Sequence, residues 1–156
     1  VTALVLVHAF PVDAGMWDEQ ARALSGAVDL LAPSLPGFGG ATSAGEVLSM
    51  DAGADAVAAG LDRAGIGKAV VCGLSMGGYV AFSLWRRHRN RIAGLALADA
   101  RAEPDDEAGR ERRRQVAAKA RSEGSGAIAE SPPPLLSDGA NPALWDRVKE
   151  MIRRQP

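Results

Sequence analysis

The stretch VVCGLSMGGYVAF, residues 70–82, sets Ser75 among Gly73, Gly77 and Gly78, directly after a run of β-branched residues. A serine hydroxyl is a weak nucleophile unless it is exposed, held and deprotonated by a neighbour. The pattern Gly-x-Ser-x-Gly meets the first two needs. It predicts a tight turn from strand to helix, with Ser75 strained at its tip and glycines where side chains would collide across the turn. The following helix would aim its free N–H groups and positive dipole end at the reacting centre, the Met76 N–H first among them. The surroundings agree: an apolar run, AVVC, precedes the motif, and an amphipathic stretch over 78–87 follows it. The competing reading is a purely structural strand-to-helix turn.

Outward from this point the chain alternates strand and helix. Residues 2–7 (TALVLV), 28–32 (VDLLA), 68–72 and 92–99 (IAGLALAD) read as strands. Residues 16–24 read as a short helix on Trp17, Ala21 and Leu24. A second helix carries Ala54, Val57, Ala58 and Leu61, with Ser49 as its cap and Gly65 just past its end. Residues 77–87 give the third helix. Between them, PSLPGFGGATSAG (33–45) is a Pro/Gly/Ser loop. Such alternation predicts an α/β fold, a doubly wound and mostly parallel sheet with helices on both faces.

After Asp99 the pattern changes. Residues 103–123 are charged and helical, with Pro104 near the start and Gly124 past the end. PPPLLSDGANP breaks the chain, and residues 143–154 form a last helix on Leu144, Val148, Met151 and Ile152. The expected organisation is a core over 1–102 and a helical segment over 103–156. The arginines of 110–114 are interleaved with acids, as on a solvated helix face.

Composition bounds the function. The chain has 156 residues, a net charge of −1 and 47% hydrophobic residues, so composition gives no support for a nucleic-acid or anionic-membrane partner. One cysteine, Cys72, rules out an internal disulfide and fits a reducing, cytoplasmic setting. No apolar run approaches the roughly 20 residues of a membrane span. The first residue is Val1, inside an apolar run, which is expected of a chain whose leading segment is missing or whose start codon was read as valine.

Four stretches in order, HAFPVDAGMW, LAPSLPGFGGAT, VVCGLSMGGYVAF and IAGLALADARAE, resemble the successive signatures of the α/β-hydrolase superfamily, in its lipase, esterase and enol-lactonase-like members. The resemblance covers nearly the whole chain and is strongest over 3–103. It implies an eight-stranded, mostly parallel sheet and no cofactor or metal. It implies Ser75 as nucleophile and the Phe10 and Met76 N–H groups as the oxyanion hole, each such donor typically worth about 3 kcal/mol. It sets the loop PSLPGFGG beside the substrate pocket, with His8, Ala9, Phe38 and Trp145 as candidates to line it; Phe38 and Trp145 read equally as core, and His8 chiefly as a shaper of its loop through its ring nitrogens. Residues 103–156 would be a helical cap. Two positions depart from the usual pattern: Ala9 stands where the family has Gly, and Ser34 where it often has Asp.

The triad order in this fold is serine, acid, histidine. His8 precedes Ser75. His88 lies at the far end of a helix about 16 Å long and points away from it. Asp99 ends the fourth strand, one place where the family sets its acid; the commoner place lies one strand later. The expectation is therefore a piece of a larger hydrolase of carboxylic esters, thioesters or lactones. Its catalytic histidine and usual acid would lie beyond Pro156, and the 156 residues alone would be near-inactive with an open sheet edge. The alternatives are a binding protein that keeps the pocket without the chemistry, and a cofactor-free haloperoxidase-like enzyme. A dehalogenase would need a carboxylate at Ser75.

Overall fold

The computed structural model describes residues 3–43 and 45–156, so Thr2 of the expected first strand and Ala44 of the expected loop lie outside it. The chain divides into two compact units, Val1–Ala102 and Glu103–Pro156.

The first unit is a parallel four-stranded sheet in the order β2-β1-β3-β4, formed by β1 (Ala3–Val7), β2 (Asp29–Leu31), β3 (Ala69–Leu74) and β4 (Ile92–Ala98). The chain leaves β1 in one direction to make β2, then returns across β1 to make β3 and β4 on its other side. Right-handed crossovers in opposite directions send their helices to opposite faces of the sheet. The helix between β1 and β2, α1 (Asp18–Ala23), is thus on one face. Helices α2 (Met50–Arg63) and α3 (Met76–Arg87) share the other and pack on each other. The loops after β1 and β3 consequently meet at the carboxyl end of the sheet, where the winding reverses, the position at which open α/β sheets bind ligands.

The core lies under α2 and α3. Val5, Val7 and Val71 of the strands meet Val57 and Leu61 of α2 and Val80 and Leu84 of α3, all fully buried. β3 alternates buried and half-buried residues along its length. On this same interface the fully buried Ser83 Oγ donates to the Asp51 carboxylate. Farther out, Arg87 grips Asp55 with two N–H donors at 2.8 and 3.0 Å. β2 and β4 are the outer strands among the described residues, and Leu97 of β4 is exposed.

Most elements lie where the sequence puts them, with local exceptions. The expected helix 16–24 begins earlier, as a 3-10 turn over Ala14–Trp17, because the Asp13 carboxylate accepts the Gly15 N–H at 2.9 Å and starts the winding there. β3 runs two residues further than expected, through Gly73 to Leu74.

In the second unit, α4 (Glu107–Glu130) starts after Asp106, whose carboxylate accepts the Gly109 N–H at 2.7 Å, so Pro104 is outside the helix rather than in its first turn. Gly124, at φ +78°, breaks α4, but winding resumes beyond it to Glu130. α5 (Pro142–Arg153) is capped by the Asn141 side chain and carries Trp145, which is half-buried. α4 and α5 pack together, with Ser125 Oγ donating to the Gln155 carbonyl at 2.7 Å and Arg153 paired with Glu130 at 2.7 Å. Arg110 and Arg114 pair along α4 with Glu107 and Glu111.

Ser49 and Gly65 bound α2 as expected. Ser49 Oγ accepts the Ala52 N–H at 3.0 Å. At the other end the Gly65 N–H reaches the Asp62 carbonyl and the Ile66 N–H the Leu61 carbonyl, with Gly65 at φ +67°. This is the paired bonding of a glycine-terminated helix. No atom stands within 4 Å of where a Gly65 side chain would begin, so a substitution there meets backbone strain alone. Gly65→Ala is expected to cost about 1 kcal/mol of stability, read as a lower denaturant midpoint with an unchanged slope.

Candidate active site

Ser75 occupies the single residue between β3 and α3 at φ +52° and ψ −111°, a conformation that costs a non-glycine residue roughly 1–3 kcal/mol. Its N–H donates to the Ala98 carbonyl at the end of β4, 2.9 Å away, and its carbonyl accepts the Gly78 N–H at 2.9 Å. The turn is therefore tied on both sides. Ser75 Oγ is half-buried and has no hydrogen-bond partner among the described residues. The Met76 N–H, first in the helix, is likewise unpaired, as helix geometry requires of the opening turn.

The three glycines are explained by close approach. A Cβ on Gly73 would stand 2.3 Å from the Gly77 carbonyl oxygen, which is the collision across the turn that the motif predicts. A Cβ on Gly77 would instead stand 2.2 Å from the Val7 carbonyl oxygen and 2.9 Å from that of His8. Gly77 thus clears the end of β1 and lets the start of α3 lie against the loop that begins at His8. A Cβ on Gly78 would strike the Ala100 Cβ at 2.4 Å.

The loop after β1 carries His8, Ala9 and Phe10. His8 is fully buried. Its Nε2 accepts the Leu35 N–H at 2.9 Å, and its Nδ1 lies 2.9 Å from the Ala9 carbonyl oxygen. An acceptor at Nε2 and a donor at Nδ1 define the neutral imidazole with its proton on Nδ1. Burial pushes the His8 pKa down from 6.5; the hydrogen bond to the Ala9 carbonyl and the Asp13 charge act oppositely and are smaller. His8, expected chiefly to shape its loop, is bonded there and has no exposed surface. Both nitrogens are engaged, so His8 acts by joining its loop to Leu35 of the loop after β2.

Ala9 has the negative φ that a side chain tolerates, since Ser75 and Asp99 are the non-glycine residues with positive φ among those described. The Phe10 N–H has no partner among the described residues. Its ring is 39% exposed and meets Phe38 edge-on at 6.2 Å, while Phe38 meets His8 edge-on at 5.2 Å. The fold therefore brings His8, Ala9, Phe10 and Phe38 into one cluster, and Gly77 carries the start of α3 against the loop that holds it. Trp145 belongs to the other unit.

His88 caps the far end of α3 with its Nε2 2.7 Å from Asp55 Oδ1. Asp99 is exposed at φ +44° and pairs with neither histidine. Among the described residues no group of three or more His, Cys, Asp or Glu gathers as metal ligands, and no helix is long and apolar enough to cross a membrane. An open groove bordered by Ala3, Leu30, Gly65 and Lys68 lies at the amino end of the strands, away from Ser75.

The His8 environment fixes a pH dependence. The unfolded chain takes up the imidazole proton near 6.5, the folded chain only below that value, so the unfolded state binds more protons in between. Stability is fully present above 6.5, is lost as pH falls below it, and levels off beneath the folded pKa. The expected result is a lower denaturation midpoint at about pH 5 than at about pH 8, with a smaller difference in His8→Gln.

The alpha/beta hydrolase fold family model matches residues 2–150. A pimeloyl-[acyl-carrier protein] methyl ester esterase of Aromatoleum aromaticum is 37% identical over 94 residues, which is 60% of this chain and 35% of that protein. The solved thermophilic esterase of Thermogutta terrifontis superposes with a TM-score of 0.92 at 40% identity, over 100% of this chain and 59% of that one. The enol-lactonase of Burkholderia xenovorans LB400 does so with a TM-score of 0.87 at 27% identity, over 99% of this chain and 60% of that one. The chain thus spans well under two thirds of these relatives' length. With the parallel sheet, the serine turn after β3 and the matched family model together, this chain belongs to the alpha/beta hydrolase fold family.

Proposed function

We propose that the chain carries the nucleophile and oxyanion-hole part of a serine hydrolase of carboxylic esters, thioesters or lactones. The observation that carries this reading is Ser75 itself: strained, half-exposed, with a free Oγ at the start of a helix whose first N–H is unpaired. The esterases and the enol-lactonase among its relatives support the substrate class.

In this mechanism Ser75 Oγ attacks the carbonyl carbon as its proton passes to a base. The carbonyl oxygen becomes an oxyanion between the Met76 and Phe10 N–H groups. Collapse of the tetrahedral intermediate breaks the bond to the alkoxide or thiolate, which takes the proton from the base. Water then repeats the sequence on the acyl-enzyme and frees Ser75. Phe10 and Phe38 form an apolar wall beside the reacting carbon, Ala9 backs the loop, and His8 holds it from behind. Residues 103–156, with Trp145, serve as the cap.

The base is the part these 156 residues do not supply. His8 is buried with both nitrogens bonded, and His88 is bound to Asp55 at the other end of α3. The proposed histidine and its acid partner come from sequence outside residues 1–156. Loss of the base in a triad costs roughly a millionfold in turnover.

A fluorophosphonate probe tests the reading. The product of the complete gene is expected to label, and to lose labelling in Ser75→Ala, while the 156-residue chain stays unlabelled. Ser75-dependent labelling of the 156-residue chain would show that a base lies within it. A folded full-length product that does not label would favour the binding-protein alternative.

A further inference from the structure

We infer that Met16 is a positioning residue of the oxyanion loop: its thioether holds the Ala9 N–H, so that the loop offers the Phe10 N–H alone to the oxyanion. The inference rests on the reading of Ser75 as nucleophile.

The argument concerns two successive peptide planes. The plane between His8 and Ala9 ends in the Ala9 N–H, which donates to Met16 Sδ at 3.4 Å. The plane between Ala9 and Phe10 is trans. It begins with the Ala9 carbonyl, which accepts from His8 Nδ1 at 2.9 Å, and ends with the Phe10 N–H on the opposite side. Each plane is therefore pinned by one side chain. The pinned groups are the Ala9 N–H and the Ala9 C=O, and the group left over is the Phe10 N–H. Holding the carbonyl of a peptide also polarises the N–H at its other end, which strengthens it as a donor.

Met16 can act in this way because its own backbone is fixed. Its N–H donates to the Asp13 carbonyl at 3.1 Å, inside the 3-10 turn that the Asp13 carboxylate caps. From there the side chain reaches back seven residues to Ala9, which is 3% exposed and has little access to water. A thioether is a weak acceptor. Without it the Ala9 N–H would be a buried donor with no partner, and the peptide plane between His8 and Ala9, on which the Ala9–Phe10 plane is hinged, would be free to tilt. Two adjacent N–H groups would then compete for one oxyanion position.

Two substitutions separate this role from mere packing. Met16→Leu keeps an apolar side chain of similar volume and removes the acceptor. Met16→Gln keeps the length and supplies a carbonyl acceptor at some apolar cost. If the sulfur acts as acceptor, the Ala9 amide exchanges with solvent about tenfold faster or more in Met16→Leu, and Met16→Gln restores protection. In the full-length protein kcat on a simple ester falls about tenfold in Met16→Leu with KM little changed, and Met16→Gln retains more of it. If Met16 only fills space, the order reverses, with leucine matching wild type and glutamine impaired, and the inference fails. Should Met16→Gln not fold, unchanged Ala9 exchange in Met16→Leu overturns it by itself. Amide exchange needs no substrate, so it reports on Met16 separately from fluorophosphonate labelling, whose failure in the wild type would remove the nucleophile reading instead.

Discussion

The approach of the start of α3 to the end of β1 is the constraint on which the rest of the site depends. A hydrogen at Gly77, in place of a side chain, is what allows the helix to close on the Val7 and His8 carbonyls. That contact joins two segments some seventy residues apart in the chain. One brings Ser75 and the Met76 N–H, the other brings Phe10. Were the helix held off by even a methyl group, the start of α3 would no longer lie against the loop that carries Phe10. Electrostatic stabilisation of an oxyanion depends on donors already in place before charge develops, because they then need no reorganisation.

The loop that meets α3 is built from polar groups with little freedom. His8 sits in a buried site that favours its neutral form, and the neutral form with one donor and one acceptor is what the two loops need. A charged imidazole would carry a proton on Nε2 against the Leu35 N–H, donor against donor. Burial and hydrogen bonding therefore work together: the same desolvation that lowers the His8 pKa keeps the ring in the state that links the loop after β1 to the loop after β2. Phe38, edge-on to both His8 and Phe10, closes this cluster with apolar surface.

Much of the fold was legible because its signals are local. The Schellman-type end of α2 needs Gly65 within a turn of Leu61, and the cap needs Ser49 three residues before Ala52, so both are readable from a few neighbouring residues. The strained serine turn is local in the same sense. The misplaced boundaries also have local causes, though weaker ones: Asp13 begins a 3-10 turn that apolar spacing does not mark, and Asp106 rather than Pro104 opens α4. The break at Gly124 was visible, but not that winding resumes beyond it, since a glycine at positive φ ends one helix without preventing the next.

The sequence by itself determined the strand and helix alternation, the parallel sheet and the tight turn at Ser75, because hydrophobic period and turn chemistry act over a few residues. Only the tertiary structure decided what surrounds that serine. It showed that Gly77 makes room for the end of β1, that His8 ties its loop to Leu35, and that Met16 holds the Ala9 N–H. The first depends on the reversal of winding between β1 and β3, and the second on the pairing of β1 with β2, each of which sets separate parts of the chain side by side. The third joins residues seven apart within one loop, in a stretch that carries no helical or strand period.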